Sequence, residues 1–175
     1  MTHPIFVAAD PIRDRNRLLD LNTEYMVWNS IEVEKALGVN VAALVGMTIP
    51  DYVASVIDKV CGAPSPDGIF YLVECDGQLA AMGGLRKVRA GVCELKRVYV
   101  RPAFRGRQLG ETIIQRLLDD AITFRYSQAL LDSGPFMASA HRLYLAAGFT
   151  DCAPYPEAEV PSALHGGWRF MARAL

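Results

Sequence analysis

Apolar residues recur along this chain with two spacings, one typical of helices and the other typical of strands. Helical spacing, with apolar residues three or four positions apart, marks four segments. They are residues 10 to about 37, a segment that begins near residue 48, a segment that begins at residue 109, and residues 138–147. Thr48 and Asp51 resemble a capping box, and Gly38 and Gly148 suit helix ends. The pattern therefore predicts four helices.

Segments rich in β-branched and aromatic residues lie around these helices. They predict strands at residues 4–8, 69–74, 78–85, 93–100, 128–132, 149–153 and 168–174. Asp76 and Gly77 form a strong hairpin signal and residues 89–91 form the next short turn, so three consecutive strands are antiparallel. The helix between the strands at 93–100 and 128–132 makes a crossover, which joins parallel strands. The pattern predicts a single α/β domain over residues 1–175 with a mixed sheet.

The composition of the chain limits which partners and which cellular compartment we expect for the protein. The chain has 175 residues, of which 51% are hydrophobic, enough for one core. Its formal net charge of −1 indicates neither a nucleic-acid partner nor an anionic membrane, and no apolar run approaches the roughly 20 residues of a transmembrane helix. Residues 1–9 lack the charged start and long apolar core of a signal peptide, so we expect a cytoplasmic protein. Four cysteines without CxxC spacing and three scattered histidines predict free thiols and no metal site.

A polar loop follows the strand at 93–100, which we call the motif strand, and leads into the helix that begins at Leu109. A helix N-terminus presents free N–H groups and a partial positive charge. Arg105 and Arg107 add formal charge, and a guanidinium binds phosphate through two parallel bonds. The residues alone leave two interpretations open, an anion site and a solvated turn. Neither GxxxxGK[ST] nor GxGxxG occurs, which argues against a Walker-type or dinucleotide site.

The loop resembles the acyl-CoA pyrophosphate loop of the GNAT N-acetyltransferase superfamily, usually written [QR]xxGx[GA]. Arg105 matches the first position and Gly110 the last, whereas Gln108 stands where the pattern has glycine. AHRLYLAAGF at 140–149 resembles the family's AxxLYxxxGF segment, and ELKRVYV at 94–100 and LLD at 130–132 fit its core strands. The resemblance covers roughly residues 69–175. It implies a mixed, mostly antiparallel central sheet flanked by helices and splayed between the motif strand and the next parallel strand.

The resemblance also implies that acetyl-CoA is the co-substrate. The expected cofactor-binding residues lie on the motif strand, in the loop, at the helix start, and on the last helix, where Met137 stands in place of a frequent asparagine. They are Val98, Tyr99, Val100, Arg105, Gly106, Arg107, Gln108, Leu109, Gly110, Glu111 and Ser139. The implied reaction is transfer of an acetyl group to a primary amine of a small molecule, amino acid or peptide, by direct attack in a ternary complex. The acceptor, the acyl chain and the oligomeric state stay open, a homodimer included.

Two residues are candidates for the chemistry. Tyr144 matches the family's tyrosine, which approaches the cofactor sulfur and assists the leaving thiolate; the alternative is a core tyrosine. His141, one turn earlier, has no family role and is expected to be solvated or packed. Glu94 is the candidate general base, and the alternative is an ion pair with Lys96 or Arg97. The two interpretations of Glu94 carry equal weight.

Strict alternation along the motif strand places Glu94 on one face with Lys96, Val98 and Val100. The splay of the strands would then open the Glu94 side chain toward an acceptor pocket. The connection at 154–167 is either a lid over that pocket or a surface loop.

The first long helix supplies four residues that would face substrate if the helix forms one wall of the acceptor pocket, as in the family. They are Glu24, Tyr25, Trp28 and Glu32. Helical spacing alone favours the simpler interpretation, in which the aromatic residues belong to the core and the glutamates are solvated.

Two other functions compete with the enzyme. One is a non-catalytic acyl-CoA-binding sensor or partner module, which would keep the loop but need neither Glu94 nor Tyr144. The other is nucleic-acid binding through the arginines and lysines between residues 86 and 107, which alternation divides between two faces. Retention of Tyr144 favours the enzyme.

Overall fold

The computed structural model describes residues 3–175; Met1 and Thr2, the first residues of the segment considered for a signal peptide, lie outside the described residues. The helices are α1 (Arg15–Leu37), α2 (Val41–Val45), α3 (Ile49–Cys61), α4 (Leu109–Thr123) and α5 (Ala138–Ala146), with short 3-10 turns at Pro102–Phe104 and Ser162–Gly167. The strands are β1 (Ile5–Ala8), β2 (Gly68–Cys75), β3 (Gln78–Arg89), β4 (Val92–Val100), β5 (Gln128–Ser133), β6 (Thr150–Asp151) and β7 (Arg169–Ala174). The motif strand is β4.

Seven strands form one sheet in the order β1-β2-β3-β4-β5-β7-β6. Every neighbouring pair is antiparallel except β4 and β5, which are parallel because α4 crosses over between them. This parallel pairing runs only from Val92 opposite Gln128 to Glu94 opposite Leu130, although both strands continue beyond it. The predicted mixed, mostly antiparallel sheet and its splay are therefore confirmed.

Helices cover both faces of the sheet. The apolar stripe of α4 is buried on one face, where Ala140 and Leu143 of α5 also pack. On the other face, α1 and α3 enclose a second core around Leu21 and Val53. The strands in the middle of the sheet are covered on both sides, which explains the long apolar stretches in β2 and β3.

Two helix predictions need correction. The first helix begins at Arg15 and not at residue 10, because the carboxylate of Asp10 accepts the amides of Ile12 and Arg13 and closes a separate turn. The short helix α2 was missed, since five residues are too few to show a period; the side chain of Asn40 caps it. The predicted strand at 149–153 is reduced to the two residues of β6.

A β-bulge interrupts the motif strand at Arg97, whose φ of +56° is unusual for a residue with a side chain. Gly84 of β3 lies opposite Lys96, but Met82 lies opposite Tyr99, so β4 holds one extra residue between these two pairs. Gly83 of β3 faces the bulge, and a Cβ there would lie 2.7 Å from Ile113 of α4. The glycine thus allows α4 to approach the sheet closely at the point where the bulge shifts the alternation of side chains.

The extra residue changes which face each later side chain occupies. Val98 and Val100 pack into the core beneath α4, whereas Tyr99 packs beneath α1. Glu94 lies on the opposite face from Val98 and Val100. The prediction from strict alternation that these three residues share a face is therefore wrong, because the bulge shifts the alternation by one position.

Among residues 3–175 there is no helix long and apolar enough to cross a membrane. The same residues contain no group of three or more histidine, cysteine, aspartate or glutamate side chains arranged to hold a metal ion. All four cysteines are free thiols.

Candidate active site

The larger cavity, with a volume of about 500 Å³, lies where β4 separates from β5. It is lined by every predicted cofactor-binding residue except Arg107, and by Tyr144. Aromatic residues from α1 and from the loop before α5 complete the wall, among them Tyr25, Trp28 and Phe136. Segments that lie far apart in the sequence therefore meet around one space.

Free backbone amides line one end of the larger cavity. The amide of Arg105 donates to Pro102, and the amide of Thr112 donates to Gln108. Between them, no backbone amide has an acceptor in the part of the chain that the structure describes. Gly106 and Gln108 both have positive φ, at 77° and 60°, and this curvature turns the loop into the first turn of α4. The unpaired amides form a concave surface whose geometry suits an anion, with Gln108 in a left-handed conformation that glycine would adopt at lower cost.

The two loop arginines have different environments. Arg105 is exposed at the rim of the larger cavity, and its Nε donates to the carbonyl of Val100 at 3.1 Å. Arg107 points away from the cavity; it lies over the ring of Phe104 and pairs with Asp76 at 3.5 Å. Only Arg105 is therefore placed to add its charge to the amides.

Tyr144 is 7% exposed and lines the larger cavity from α5. Its ring packs edge-on against Phe149, and its hydroxyl has no hydrogen-bond partner within the described residues. Burial raises the pKa of this hydroxyl well above its usual range, and the nearby Tyr25 and Asp132 act in the same direction. Tyr144 is therefore protonated at neutral pH, and its hydroxyl is a free hydrogen-bond donor at the cavity wall.

A smaller cavity of about 210 Å³ lies on the α1 side of the splay. Tyr25 lines both cavities and stands between them. The motif strand divides at its bulge. Before the bulge residue's neighbour Val98, the side chains of Lys96 and Arg97 line the smaller cavity. From Val98 to Val100 the strand lines the larger cavity.

The charged side chains of the smaller cavity come from three parts of the chain. Lys96 lies 3.3 Å from Glu159 and 3.9 Å from Asp132, and the Nε1 of Trp168 donates to Asp132 at 2.8 Å. Burial opposes ionisation of Glu159, but Lys96 and two further cations outweigh it and lower the pKa of Glu159 to about 2. Sequence reasoning missed this cluster. The sequence signal that could have found it is the presence of charged residues in predicted strands. Lys96 lies in the middle of one strand, and Asp132 lies at the end of a buried strand.

Glu94 is completely buried and lines neither cavity. Its Oε2 accepts from Arg86 Nε at 3.1 Å and Nη2 at 2.9 Å, and its Oε1 accepts from the Tyr155 hydroxyl at 2.6 Å. Lys96 lies 3.7 Å away, whereas Arg97 makes no ion pair with Glu94. Burial raises the pKa of Glu94, against the effect of Lys96 and of the Tyr155 hydrogen bond. The general-base role stays a prediction, and this geometry supports the ion-pair alternative.

Of the four residues suggested on the first helix, two line a cavity and two do not. Tyr25 and Trp28 line the larger cavity and stack with Tyr99. Glu24 accepts from the Tyr99 hydroxyl at 3.1 Å and pairs with an arginine, and Glu32 pairs with a lysine on the surface. The aromatic residues thus contribute to the cavity wall, and neither glutamate does.

The connection at 154–167 folds back over the sheet. Tyr155 and Leu164 are buried, and Val160, Pro161 and Leu164 line the smaller cavity. His141, for which no role was expected, contacts the hydroxyl of Ser133 at 3.1 Å. The connection is therefore a wall of the smaller cavity, held to β4 through the Tyr155–Glu94 hydrogen bond.

A sheet splayed beside its parallel crossover, with free amides at the start of the crossover helix, defines the N-acetyltransferase type of α/β fold. The chain belongs to the acetyltransferase (GNAT) family, whose sequence model matches residues 45–149.

Relatives and solved structures agree with this family. The chain is 35% identical over 75 residues to an uncharacterized N-acetyltransferase of Schizosaccharomyces pombe, covering 43% of this chain and 46% of that protein. It is 32% identical over 91 residues to an IAA acetyltransferase of Azospirillum brasilense, covering 51% and 60%. The chain thus matches about half the length of these relatives. The crystal structure of PaiA N-acetyltransferase from Thermoplasma acidophilum in complex with coenzyme A has a similar fold, with a TM-score of 0.68 at 15% identity over 99% of each chain.

Proposed function

We propose that this protein transfers an acetyl group from acetyl-CoA to a primary amine by direct attack within a ternary complex. One observation carries the proposal. A single cavity joins a loop of unpaired amides, the unpaired edge of the motif strand and the buried hydroxyl of Tyr144, and a second cavity meets it at Tyr25. The PaiA enzyme with the same fold binds coenzyme A, which supports this choice of cofactor.

The cofactor would be held at two places by the chain's own groups. The amides from Gly106 to Glu111, the dipole of α4 and the guanidinium of Arg105 suit a pyrophosphate. Beyond Glu94 the backbone of β4 has no partner on the β5 side, so an amide-bearing pantetheine arm can pair with it as an added strand. The thioester would then lie near Tyr144, where the two cavities meet.

The chemical step needs two proton movements. The amine lone pair attacks the thioester carbon, the carbon–sulfur bond breaks, and the thiolate takes a proton from the Tyr144 hydroxyl, which is uncharged at neutral pH as in any tyrosine. The attacking amine must also lose a proton to a base. Asp132 faces the smaller cavity and is close enough to Tyr144 to influence its pKa, so it is placed better than the enclosed Glu94.

Gly110 provides the test of cofactor binding. Coenzyme A should raise the melting temperature of the wild type, because a ligand of the folded state stabilises it by mass action. Dephosphorylated pantetheine should raise it much less. Gly110→Glu places a carboxylate among the amides, and even its Cβ would lie 3.0 Å from Leu143, so this variant should lose the coenzyme A shift.

Gly166→Glu is the matched control, because a Cβ at that position meets no atom within 4 Å. This variant should keep the shift. Equal shifts from coenzyme A and pantetheine would contradict the role of the loop. Release of free thiol from acetyl-CoA in the presence of amines then tests the reaction, and binding without release from any amine would identify a sensor instead.

A further inference from the structure

Arg97 is a half-buried cation at the wall of the smaller cavity. Its Nη1 is buried without a hydrogen-bond partner, and the side chain makes no ion pair with any carboxylate in residues 3–175. Its guanidinium lies over the ring of Tyr25, whose centroid is 5.5 Å from the guanidinium carbon. The bulge, with its positive φ, fixes the backbone from which this side chain extends. Strained backbone of this kind is concentrated at functional sites.

Neighbouring charges in the same cavity are already neutralised. Lys96 lies within 4 Å of three carboxylates, those of Glu94, Asp132 and Glu159. Removing a guanidinium from water without a partner is costly, whereas a bound anion would satisfy it through two parallel hydrogen bonds. Arg97 is therefore the cation of this cavity that awaits an anionic partner.

The cavity also limits what that partner is. At about 210 Å³ it is smaller than the roughly 300–1,000 Å³ typical of sites for drug-sized ligands. Apolar side chains, including Val33, Val41 and Leu164, form much of its wall. Asp132 and Glu159 face the same space, which disfavours a doubly charged phosphate but leaves room for a group that is itself both cationic and anionic.

We propose, as an extension that rests on the proposed function, that the acceptor is an amino-carboxylate of amino-acid size with an apolar side chain. Arg97 binds its carboxylate, the apolar wall holds its side chain, and its amine points toward Asp132 and the junction at Tyr25. The acceptor is thus selected by an anion that takes no part in the reaction. Arg97 is a specificity residue in this proposal and not a catalytic one.

The test compares amines that differ only in this anion. Leucine, methionine and phenylalanine are each assayed beside their amides, which keep the amine and side chain but lack the carboxylate. Thiol release from acetyl-CoA is measured, and kcat/KM is expressed per concentration of unprotonated amine. A charge-assisted pair is worth roughly tenfold to hundredfold, so at least one amino acid should exceed its amide by that factor.

Variants of Arg97 test whether this residue causes the preference for an amino acid over its amide. Arg97→Met should bring the ratio of amino acid to amide close to one, and Arg97→Lys should retain part of it because it keeps the charge but loses the planar fork. Arg15→Met is the matched control, since Arg15 pairs with Asp58 on the exposed surface at 2.9 Å. It should retain the wild-type ratio.

A second measurement separates this inference from the proposed function. Calorimetry records the binding of the same amino acids and amides to the protein saturated with coenzyme A, where no reaction can occur. Tighter binding of an amino acid than of its amide, abolished in Arg97→Met, supports the inference even if no amine is acetylated. Amides that bind and react as well as the amino acids, in wild type and Arg97→Met alike, would overturn the inference while leaving the acetyltransferase intact.

Discussion

Glu94→Gln separates a structural carboxylate from a catalytic one. Glutamine keeps the shape of the side chain but removes the charge that accepts two hydrogen bonds from Arg86 and one from Tyr155. Removing one partner of a buried ion pair typically costs about 3–5 kcal/mol. Because Glu159 also lies 3.1 Å from Arg86 and can share its charge, we expect the lower end, about 3 kcal/mol.

The assay is thermal and urea unfolding of the wild type and the variant. For a chain of this size 1 kcal/mol shifts the melting temperature by roughly 2–4 °C, so Glu94→Gln should melt about 6–12 °C lower. Glu157→Gln is the matched control, because Glu157 pairs with Arg89 on the exposed surface at 2.7 Å and such pairs contribute at most about 1 kcal/mol. Replacing Glu94 and Arg86 together by methionine should recover most of the loss.

The turnover of Glu94→Gln tests whether Glu94 is the general base. If Glu94 only stabilises the fold, the turnover rate of the folded variant divided by that of the wild type should not depend on pH between 6 and 9.5. A base would give a deficit that shrinks as pH rises, because solution then supplies neutral amine. Asp132→Asn should show that shrinking deficit. A Glu94→Gln protein that melts like Glu157→Gln would refute the structural reasoning, and a shrinking deficit in Glu94→Gln would restore it as the base.

Two further predictions concern single side chains. Tyr144→Phe keeps the ring but removes the proton donor, so turnover should fall by about 10²-fold or more while acetyl-CoA binding changes little; wild-type turnover would make Tyr144 structural. Glu159 has a pKa lowered to about 2 from an ordinary 4.5, so its contribution to stability is present above pH 4.5 and is lost as pH falls toward 2. The difference in unfolding free energy between wild type and Glu159→Gln should therefore shrink between pH 5 and 3, by at most about 1.4 kcal/mol per pH unit; a constant difference would contradict the lowered pKa.

Local patterns predicted most of the fold and most of the residues that line the larger cavity. The loop and the strand that line the larger cavity are contiguous in sequence, so their spacing could be read directly. The pairing of Glu94 with Arg86 was also within reach. The two residues are equally distant from the centre of the turn at 89–91, and in an antiparallel hairpin such residues lie opposite each other.

The smaller cavity was harder to predict because it depends on contacts between distant segments. The position of Glu159 follows from how the connection at 154–167 folds, and no local rule fixes that path. The bulge at Arg97 is decided by pairing with β3, where Gly83 and Gly84 were the available signal, since glycines inside a strand often accompany a bulge. Without the bulge, alternation assigned Val98 and Val100 to the wrong face.

The bulge also divides the motif strand into two parts that line different cavities. Lys96 and Arg97 line one cavity and Val98 to Val100 line the other, so a substitution on one side of the bulge alters one cavity without altering the other. Substitutions at positions 96 and 97 would alter the smaller cavity while Val98 and Val100 keep their packing beneath α4. One extra residue in a strand thereby allows the lining of the smaller cavity to change independently of the lining of the larger cavity.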